Sequence, residues 1–300
     1  MRRGIALVVV LGVVTALALL SAATALSQRT GLRLADRFAD RSAATAAAEA
    51  GLERAVALAR ADLTARVDPA WWTVDLGDAS ARLVVPGRDA PVPGWRSEDA
   101  YVNLNTASPA LIAALPGSDA AAADLLVAER RRRNQAQGRV DPVDQPEAPT
   151  LPPPAGLVDR PFPDAASLRA AVPALAPLLA QPRFRAVVTF RSSGRIALAQ
   201  ADAAVLTALG VSPTVAPQVA TRRWSSRQEL LAFTGLEDRG WNRRHLALGS
   251  AAWRVLSVGR QGDQQVVAEA FVVRETTRLR LTEAHRRDLL PDATLGWVLP

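Results

Sequence analysis

Residues 1–26 read MRRGIALVVVLGVVTALALLSAATAL, and this stretch decides how the rest of the chain is organised. Two arginines, Arg2 and Arg3, precede a predominantly apolar run from Ile5 to Leu26. At 1.5 Å per residue, a helix over this run is about 33 Å long and crosses a hydrocarbon core of about 30 Å. Because the basic residues flank its N-terminal side, the positive-inside rule predicts a cytoplasmic N-terminus and an exported remainder.

Two interpretations of this segment compete, a cleaved signal peptide and a retained transmembrane helix. A signal peptide would use Ala23-Thr24-Ala25 as its small-residue cleavage site. We favour a retained helix because the apolar run exceeds the usual signal core of about 7–15 residues. In addition, no proline occurs between Ile5 and Val67, so nothing in the sequence breaks the helix after the apolar run.

The sequence after Leu26 becomes amphipathic with helical spacing. Its apolar stripe contains Leu34, Phe38, Ala44, Ala48, Leu52, Val56 and Leu63. The charged residues of the other faces are Arg33, Asp36, Arg37, Asp40, Arg41 and Glu53. We therefore predict one helix as far as Asp68-Pro69, with a transmembrane part over residues 5–26 and an amphipathic part over residues 27–68.

The pair Gly4-Ile5, followed directly by an apolar helix, resembles the class III signal of type IV pilins and type II secretion pseudopilins. The resemblance implies a leader over residues 1–4 that a prepilin peptidase removes between Gly4 and Ile5. It also implies methylation of the new N-terminus at Ile5. The helix would then stay in place after processing.

One position departs from the commonest pattern of that family. Counting from Ile5, the fifth residue is Val9, where major pilins carry a glutamate that pairs with a neighbouring subunit. A carboxylate in hydrocarbon is costly unless it is paired, so a subunit with no neighbour above it does better without one. In this respect the chain resembles the K-type minor pseudopilins, the general secretion pathway protein K family. That resemblance implies an assembly role for the position of Val9.

Two regions carry strand patterns and are predicted to form one small antiparallel sheet. In residues 69–102, strand-like runs flank Gly77-Asp78 and predict a hairpin. In residues 249–281, two alternating runs flank a turn predicted over residues 259–263, and residues 278–281 are predicted as an edge strand. Residues 282–300 are assigned to a C-terminal tail without predicted structure.

The region between the two strand regions has the pattern of paired helices. Within Asn103-Leu-Asn-Thr-Ala-Ser-Pro109, Ser108 is predicted to cap a helix whose first residue is Pro109. Pro116-Gly117 ends that helix, and a second helix follows from Ala120 to Arg132. The same pattern recurs from Ile196 onward. We predict an inserted helical domain over residues 103–248 that holds two helix-hairpin-helix-like units.

Such units suggest an alternative function, an exported or membrane-tethered DNA-binding protein of the DNA-uptake type. DNA-binding hairpins use a Gly-hydrophobic-Gly turn whose backbone N–H groups reach a phosphate. Neither hairpin here, residues 115–119 or residues 209–213, has the second glycine. Asp119 would repel a phosphate. We therefore favour a structural insertion and do not expect nucleic acid among the partners.

A proline-rich loop is predicted over residues 135–163, between the two units. Four carboxylates that lie in or beside it are Asp141, Asp144, Asp159 and Asp164. Carboxylates are the ligands that Ca²⁺ prefers, but no EF-hand register is present. We therefore interpret them as solvated loop acids and predict no cofactor.

Composition and motifs argue against catalysis and against a dominant nucleic-acid surface. The formal charge of +7 comes from arginines spread along the chain, and the one block, Arg130 to Arg133, is interpreted as a solvated helix end. There is no cysteine, which excludes disulfides and thiolate metal sites. The two histidines, His245 and His285, are far apart in sequence and are interpreted as surface or capping residues.

The sequence therefore predicts an α+β protein, in which a long N-terminal helix packs on a small antiparallel sheet interrupted by a helical domain. The family resemblance implies a non-enzymatic minor pseudopilin at the tip of the type II secretion pseudopilus. There it would take part in pseudopilus initiation and protein export. Implied partners are other minor pseudopilins, the prepilin peptidase, the inner-membrane secretion platform and secreted substrates. The implied location is the bacterial inner membrane, as a single-pass protein with its bulk in the periplasm.

Overall fold

The computed structural model describes residues 2–61, 73–84, 95–144, 161–219, 221–275 and 278–289, with side chains over 11–57, 74–83, 96–144, 161–219 and 221–274. The helices are α1 (Arg2–Ala61), α2 (Pro109–Ala113), α3 (Ala120–Ala136), α4 (Ala165–Ala171), α5 (Ala176–Ala180), α6 (Pro182–Arg185), α7 (Ala203–Ala208), α8 (Ala216–Val219), α9 (Arg227–Thr234) and α10 (Gly240–His245). The strands are β1 (Thr73–Leu76), β2 (Ala79–Val84), β3 (Trp95–Ser97), β4 (Val102–Asn103), β5 (Val188–Thr189), β6 (Ile196–Ala197), β7 (Leu246–Ala247), β8 (Ala252–Gln261), β9 (Gln264–Glu275) and β10 (Arg278–Leu289). Within these described ranges, three 3-10 turns are also present: Glu98–Ala100, Pro173–Leu175 and Leu198–Gln200.

The helix α1 has two parts that differ in exposure. Every side chain over residues 11–39 is exposed, and packing against the rest of the protein begins at Asp40. The predicted apolar stripe is therefore divided, because Leu34 and Phe38 are 49% and 65% exposed whereas Ala44, Ala48 and Leu52 are buried. The predicted helix end at residues 68–69 and the stripe residue at position 63 lie outside the described residues.

The second part of α1 lies directly on the sheet, and small residues make this contact. The helix buries Ala44, Ala47, Ala48, Gly51, Leu52 and Ala55. Across the contact, a Cβ atom at Gly259 would overlap the carbonyl oxygen of Ala44 and lie 2.6 Å from the backbone nitrogen of Ala48. A Cβ atom at Gly51 would overlap the hydroxyl of Ser257. The helix backbone can approach the sheet this closely because glycine stands at both places.

The sheet has the strand order β1-β2-β8-β9-β10, with β3 also paired to β8, and every pairing is antiparallel. The predicted hairpin forms between β1 and β2, where Gly77 adopts a φ of +83° and its N–H donates to Asp75 Oδ1 at 3.1 Å. Gly259 was predicted as part of the turn after β8 but lies inside that strand. The turn itself is at Gly262, which has a φ of +51°.

The last strand is longer than the sequence predicts. The strand β10 runs through Leu289, so the first half of the predicted tail over residues 282–300 belongs to the sheet. The pairing of β10 with β9 shifts register between Leu281 and Glu283. Residues 282–288 contain no large apolar side chain, so the alternation of apolar and polar residues on which the prediction depended ends at Leu281.

The inserted domain consists of two units of the same design. Unit one (residues 102–189) begins with β4 and ends with β5, and unit two (residues 196–247) begins with β6 and ends with β7. In each unit these two terminal strands pair in parallel. In each unit the first helix is capped by a side chain, Ser108 for α2 and Asp202 for α7. The predicted recurrence thus reflects two complete structural repeats. It also places Val102 in the inserted domain rather than in the first part of the main sheet.

We predict that Gly259→Ala lowers the free energy of unfolding by about 3 kcal/mol, because its Cβ would displace the backbone of α1 rather than a mobile side chain. Gly249→Ala is the matched control, since a Cβ atom there meets nothing within 4 Å. Urea unfolding of the detergent-solubilised full chain measures both. Equal effects of the two substitutions would contradict the close packing of α1 on β8.

Candidate assembly helix and the junction that supports it

The exposed part of α1 carries large apolar side chains on all its faces. Those with more than half of their surface exposed are Leu11, Val13, Val14, Leu17, Leu19, Leu20, Leu26, Leu32 and Phe38. Among the described residues, α1 is also the one helix that is long and apolar enough to cross a membrane. Its hydroxyls are satisfied within the helix, because Thr15, Thr24 and Thr30 donate to carbonyl oxygens four residues earlier at 2.8–2.9 Å. These threonine hydroxyls therefore need no hydrogen-bond partner from lipid or from another protein.

The exposed part is longer than a bilayer requires. Beyond the apolar run that ends at Leu26, residues 27–39 add about 20 Å of exposed helix before the sheet begins. This extension still exposes Leu32, Leu34 and Phe38. Since contiguous exposed apolar residues mark interaction surfaces, the extension is suited to packing against other helices.

The residues implied in processing and assembly lie at the start of the same helix. Gly4, Ile5 and Val9 are within the backbone of α1, and their side chains lie outside the described residues. The cleavage between Gly4 and Ile5, the methylation of Ile5 and the assembly role of Val9 stay predictions.

Asp99 lies just before the inserted domain and binds both the linker between its two units and the point where the chain returns to the sheet. Its Oδ1 accepts hydrogen bonds from the N–H and hydroxyl of Ser193, in the linker between the units, at 2.8 and 2.9 Å. Its Oδ2 accepts from the N–H groups of Ala251 and Ala252, where the chain returns to the sheet, at 2.7 and 3.0 Å. Burial raises the pKa of Asp99, while these hydrogen bonds to the charged form oppose the rise.

A second polar contact joins the inserted domain to the sheet beside Asp99. The Thr189 hydroxyl at the end of unit one donates to Glu98 Oε2 at 2.6 Å. Burial raises the pKa of Glu98, and the nearby guanidinium groups of Arg96 and Arg254 oppose this. Arg254 in turn donates to Glu269 at 2.5 Å. The interface between sheet and insert is therefore built from charged and hydroxyl groups, whereas α1 contacts the sheet through apolar groups.

The two asparagines of the first turn of unit one make tertiary hydrogen bonds, one within the unit and one to the linker. Asn105 is buried. Its side-chain nitrogen donates to the carbonyl oxygen of Phe162 at 2.8 Å, and its side-chain oxygen accepts from the N–H of Phe162 at 3.0 Å. Asn103 donates to the Ser192 hydroxyl at 2.9 Å. The sequence motif was interpreted as a helix start, and these tertiary contacts were missed because their partners lie 57 and 89 residues away.

The arginine block was interpreted as a solvated helix end, and for Arg130 this is wrong. Arg130 is fully buried and binds Asp141 through two hydrogen bonds of 2.7 and 2.9 Å. It also donates to the carbonyl oxygens of Leu104 and Ala107 at 3.0 and 2.8 Å. Arg130 is buried because its position on α3 faces the first turn of unit one. The other three arginines of the block form exposed or half-buried pairs with Glu129 and Asp144.

Three of the four carboxylates considered for Ca²⁺ lie in the described ranges, and each of them has another partner. Asp141 pairs with Arg130 and Asp144 with Arg131, so both charges are neutralised by guanidinium groups. Asp164 caps α4 by accepting from the N–H of Ser167 at 2.7 Å. Asp159 lies outside the described residues. Within the described ranges, no three His, Asp or Glu side chains converge as a metal site would require.

His245 was interpreted as a surface or capping residue, and the structure corrects this. It is 8% exposed and stacks on Trp241 with ring centroids 4.7 Å apart. Its Nδ1 donates to the carbonyl oxygen of Gly194 at 2.8 Å, since a carbonyl can only accept. Burial lowers the pKa of His245 to about 4, so the ring is neutral at physiological pH. His285 lies in β10, and its side chain is outside the described residues.

The first hairpin lacks the open helix start that phosphate binding needs. Gly117 adopts the predicted left-handed turn with a φ of +79°, but the N-terminus of α3 is occupied by Asp119. The Asp119 carboxylate accepts from the N–H of Ala122 at 2.7 Å. In the second hairpin, α8 is only four residues long and follows an exposed Ser212–Thr214 segment. None of these features favours DNA binding.

No protein-family model matches the chain, and no curated protein matches it. Among solved structures, it is similar to a chain of the crystal structure of the GspK-GspI-GspJ complex from the enterotoxigenic Escherichia coli Type 2 Secretion System. The alignment has a TM-score of 0.53 and 14% identity, and it covers 87% of this chain and 100% of that chain. At this identity the likeness concerns the fold. The predicted architecture is confirmed: a long N-terminal helix on a small antiparallel sheet with helical insertions, as in pilin-like proteins.

We predict that Arg130→Met lowers the free energy of unfolding by about 3–5 kcal/mol, because it leaves the buried carboxylate of Asp141 without its partner. Arg132→Met is the matched control, and we expect at most about 1 kcal/mol there, since Arg132 is an exposed member of the same block. The double variant Arg130→Met/Asp141→Leu should recover part of the loss. The three are compared by urea unfolding. A loss from Arg132→Met equal to that from Arg130→Met would contradict the assignment.

Proposed function

We propose that this protein is a membrane-anchored minor subunit of a type II secretion pseudopilus, with a structural rather than a catalytic role. The observation that carries the proposal is the exposed part of α1, residues 11–39, which extends from the folded domain with apolar side chains uncovered. A helix of this kind needs lipid around one segment and protein around the next. The fold likeness to a chain of the GspK-GspI-GspJ complex supports the same proposal.

The proposed orientation follows from the sequence of α1. With Arg2 and Arg3 on the cytoplasmic side, residues 5–26 cross the inner membrane and the sheet and inserted domain lie in the periplasm. Other minor pseudopilins are the proposed partners along the extension formed by residues 27–39. The prepilin peptidase and the inner-membrane secretion platform would act on the segment near Gly4. Secreted substrates would meet the inserted domain.

A position at the tip, as in K-type minor pseudopilins, accounts for two features together. Val9 stands where a stacked subunit needs a glutamate to pair with its neighbour. The inserted domain adds two helical units to the sheet, bulk that a terminal subunit accommodates without displacing another subunit. At the tip the protein would help to initiate the pseudopilus and take part in protein export.

Processing at Gly4 tests the proposal most directly. Co-expression of the full chain with a prepilin peptidase should yield a membrane protein that starts at a methylated Ile5, seen by intact mass and N-terminal sequencing. Gly4→Leu should leave the leader attached, because the bulky side chain blocks the peptidase. Gly12→Leu is the control, since it lies in the same helix beyond the leader and should be processed normally. A mature chain that starts near Leu26 would refute the pseudopilin proposal.

The location within a filament tests the tip position. In a reconstituted pseudopilus, the labelled wild-type protein should be found at one end by immunogold electron microscopy. Val9→Glu should lower its incorporation by more than tenfold, because an unpaired carboxylate in the membrane costs about 2.5–3.5 kcal/mol. Val9→Leu, which stays apolar, should leave incorporation unchanged. Label distributed along the filament would contradict the tip position.

A further inference from the structure

Three arginines form a stripe along the exposed part of α1, directly after the apolar segment. Arg29, Arg33 and Arg37 are spaced by four residues, so they share one face of the helix and each stands about 6 Å above the last. All three are exposed. Within the described part of the chain, no ion pair or hydrogen bond engages their side chains. The stripe is therefore open to a ligand from outside the chain.

The height of the stripe matches the phosphate layer of a membrane. If the hydrocarbon ends at Leu26, the Cα atoms of Arg29 and Arg33 lie about 4.5 Å and 10.5 Å above it. The headgroup layer on each side of a bilayer is about 5–8 Å thick. Side chains on a helix point toward its N-terminus, which here means back toward the membrane. The long arginine side chains therefore bring both guanidinium groups to the phosphates, with Arg37 just above them.

The net charge of α1 along the stripe is most positive at the N-terminal end, which is the end nearest the membrane. Residues 27–35 contain Arg29 and Arg33 and no acidic residue. The first two acidic residues, Asp36 and Asp40, follow farther from the membrane. An anion that approaches from the bilayer therefore meets the arginines before it meets a carboxylate. A protein partner lying along the whole extension would meet both signs.

Insertion into the membrane does not account for these charges. The positive-inside rule counts basic residues in short loops, and long exported domains cross largely regardless of their charge. Arginines on the exported flank of residues 5–26 thus neither set nor oppose the orientation. A binding role explains why guanidinium groups lie at the height of the phosphate layer. A planar guanidinium group can donate two parallel hydrogen bonds to the oxygens of one phosphate.

We propose that Arg29 and Arg33, assisted by Arg37, bind the phosphate groups of anionic phospholipids in the leaflet that faces the folded domain. The proposal rests on the membrane insertion of α1 given under the proposed function. Each arginine near an anionic surface strengthens the attraction roughly fivefold. The bound lipid would hold the subunit at a fixed depth before it joins other subunits.

The experiment counts the lipids that stay bound to the full chain. The protein is reconstituted in nanodiscs of phosphatidylcholine with a minority of phosphatidylglycerol, and native mass spectrometry gives the ratio of the two lipids retained. For the wild type we expect phosphatidylglycerol to be enriched at least fivefold over its share in the nanodisc. The triple variant Arg29→Gln/Arg33→Gln/Arg37→Gln should return the ratio to that share.

Two further variants make the result specific. Arg183→Gln/Arg185→Gln/Arg223→Gln removes the same charge from exposed positions of the inserted domain and should keep the enrichment. Replacing the stripe by three lysines should keep part of it, because the charge remains but the planar donors are lost. Equal loss in both glutamine triples would overturn the proposal, since net charge alone would then explain the binding.

The remaining outcomes separate this inference from the proposed function. Insertion of the wild type without enrichment overturns the lipid site alone, and the stripe would then serve an acidic helix of a neighbouring subunit. Failure of the wild type to remain in nanodiscs overturns the proposed function as well. Displacement of the lipid by inorganic phosphate, but not by sodium chloride of equal ionic strength, would reveal a general anion site and contradict lipid recognition.

Discussion

The rest of the structure depends on the close approach of α1 to the sheet. Alanines of the helix lie on β2, β8 and β9, and Gly51 and Gly259 remove the side chains that would hold the backbones apart. Contacts of this kind are apolar and tightly packed, so they tolerate little change in volume. They fix the helix against the domain from Asp40 onward, and this leaves residues 11–39 exposed as one continuous helical extension. The exposed apolar segment and the arginine stripe are both positioned by that contact.

The inserted domain is attached by different chemistry. Asp99 receives hydrogen bonds from the linker and from the returning strand, and Glu98 receives one from the end of unit one. Such bonds are directional, so they define an orientation that an apolar contact would leave less precise. Inside the insert, Arg130 and Asp141 play a similar part by tying α3 to the first turn of unit one. Polar groups thus specify how the repeats are placed, while apolar side chains form their core.

The features that could be predicted are those whose signal is local in the sequence. The apolar run of α1, the hairpin at Gly77 and the recurrence that begins at Ile196 each depend on neighbouring residues, and each is present in the fold. Burial depends on partners far along the chain, and here prediction failed. Arg130 was assigned to solvent because periodicity cannot locate its partners, the carbonyls of Leu104 and Ala107, 26 and 23 residues earlier, and the carboxylate of Asp141. Gly259 was assigned to a turn because its helix neighbour is more than two hundred residues away.

The place where the inserted domain joins the sheet has a mechanical consequence. A pull along α1 is carried by the helix and by the strands packed on it. The insert begins just after Asp99, and Asp99 hydrogen-bonds to Ala251 and Ala252 where the chain returns to the sheet, so such a pull applies little force across the two repeats. The repeats can therefore change in length or surface without weakening the contact between helix and sheet. A protein built this way can vary its inserted domain while that contact keeps its strength.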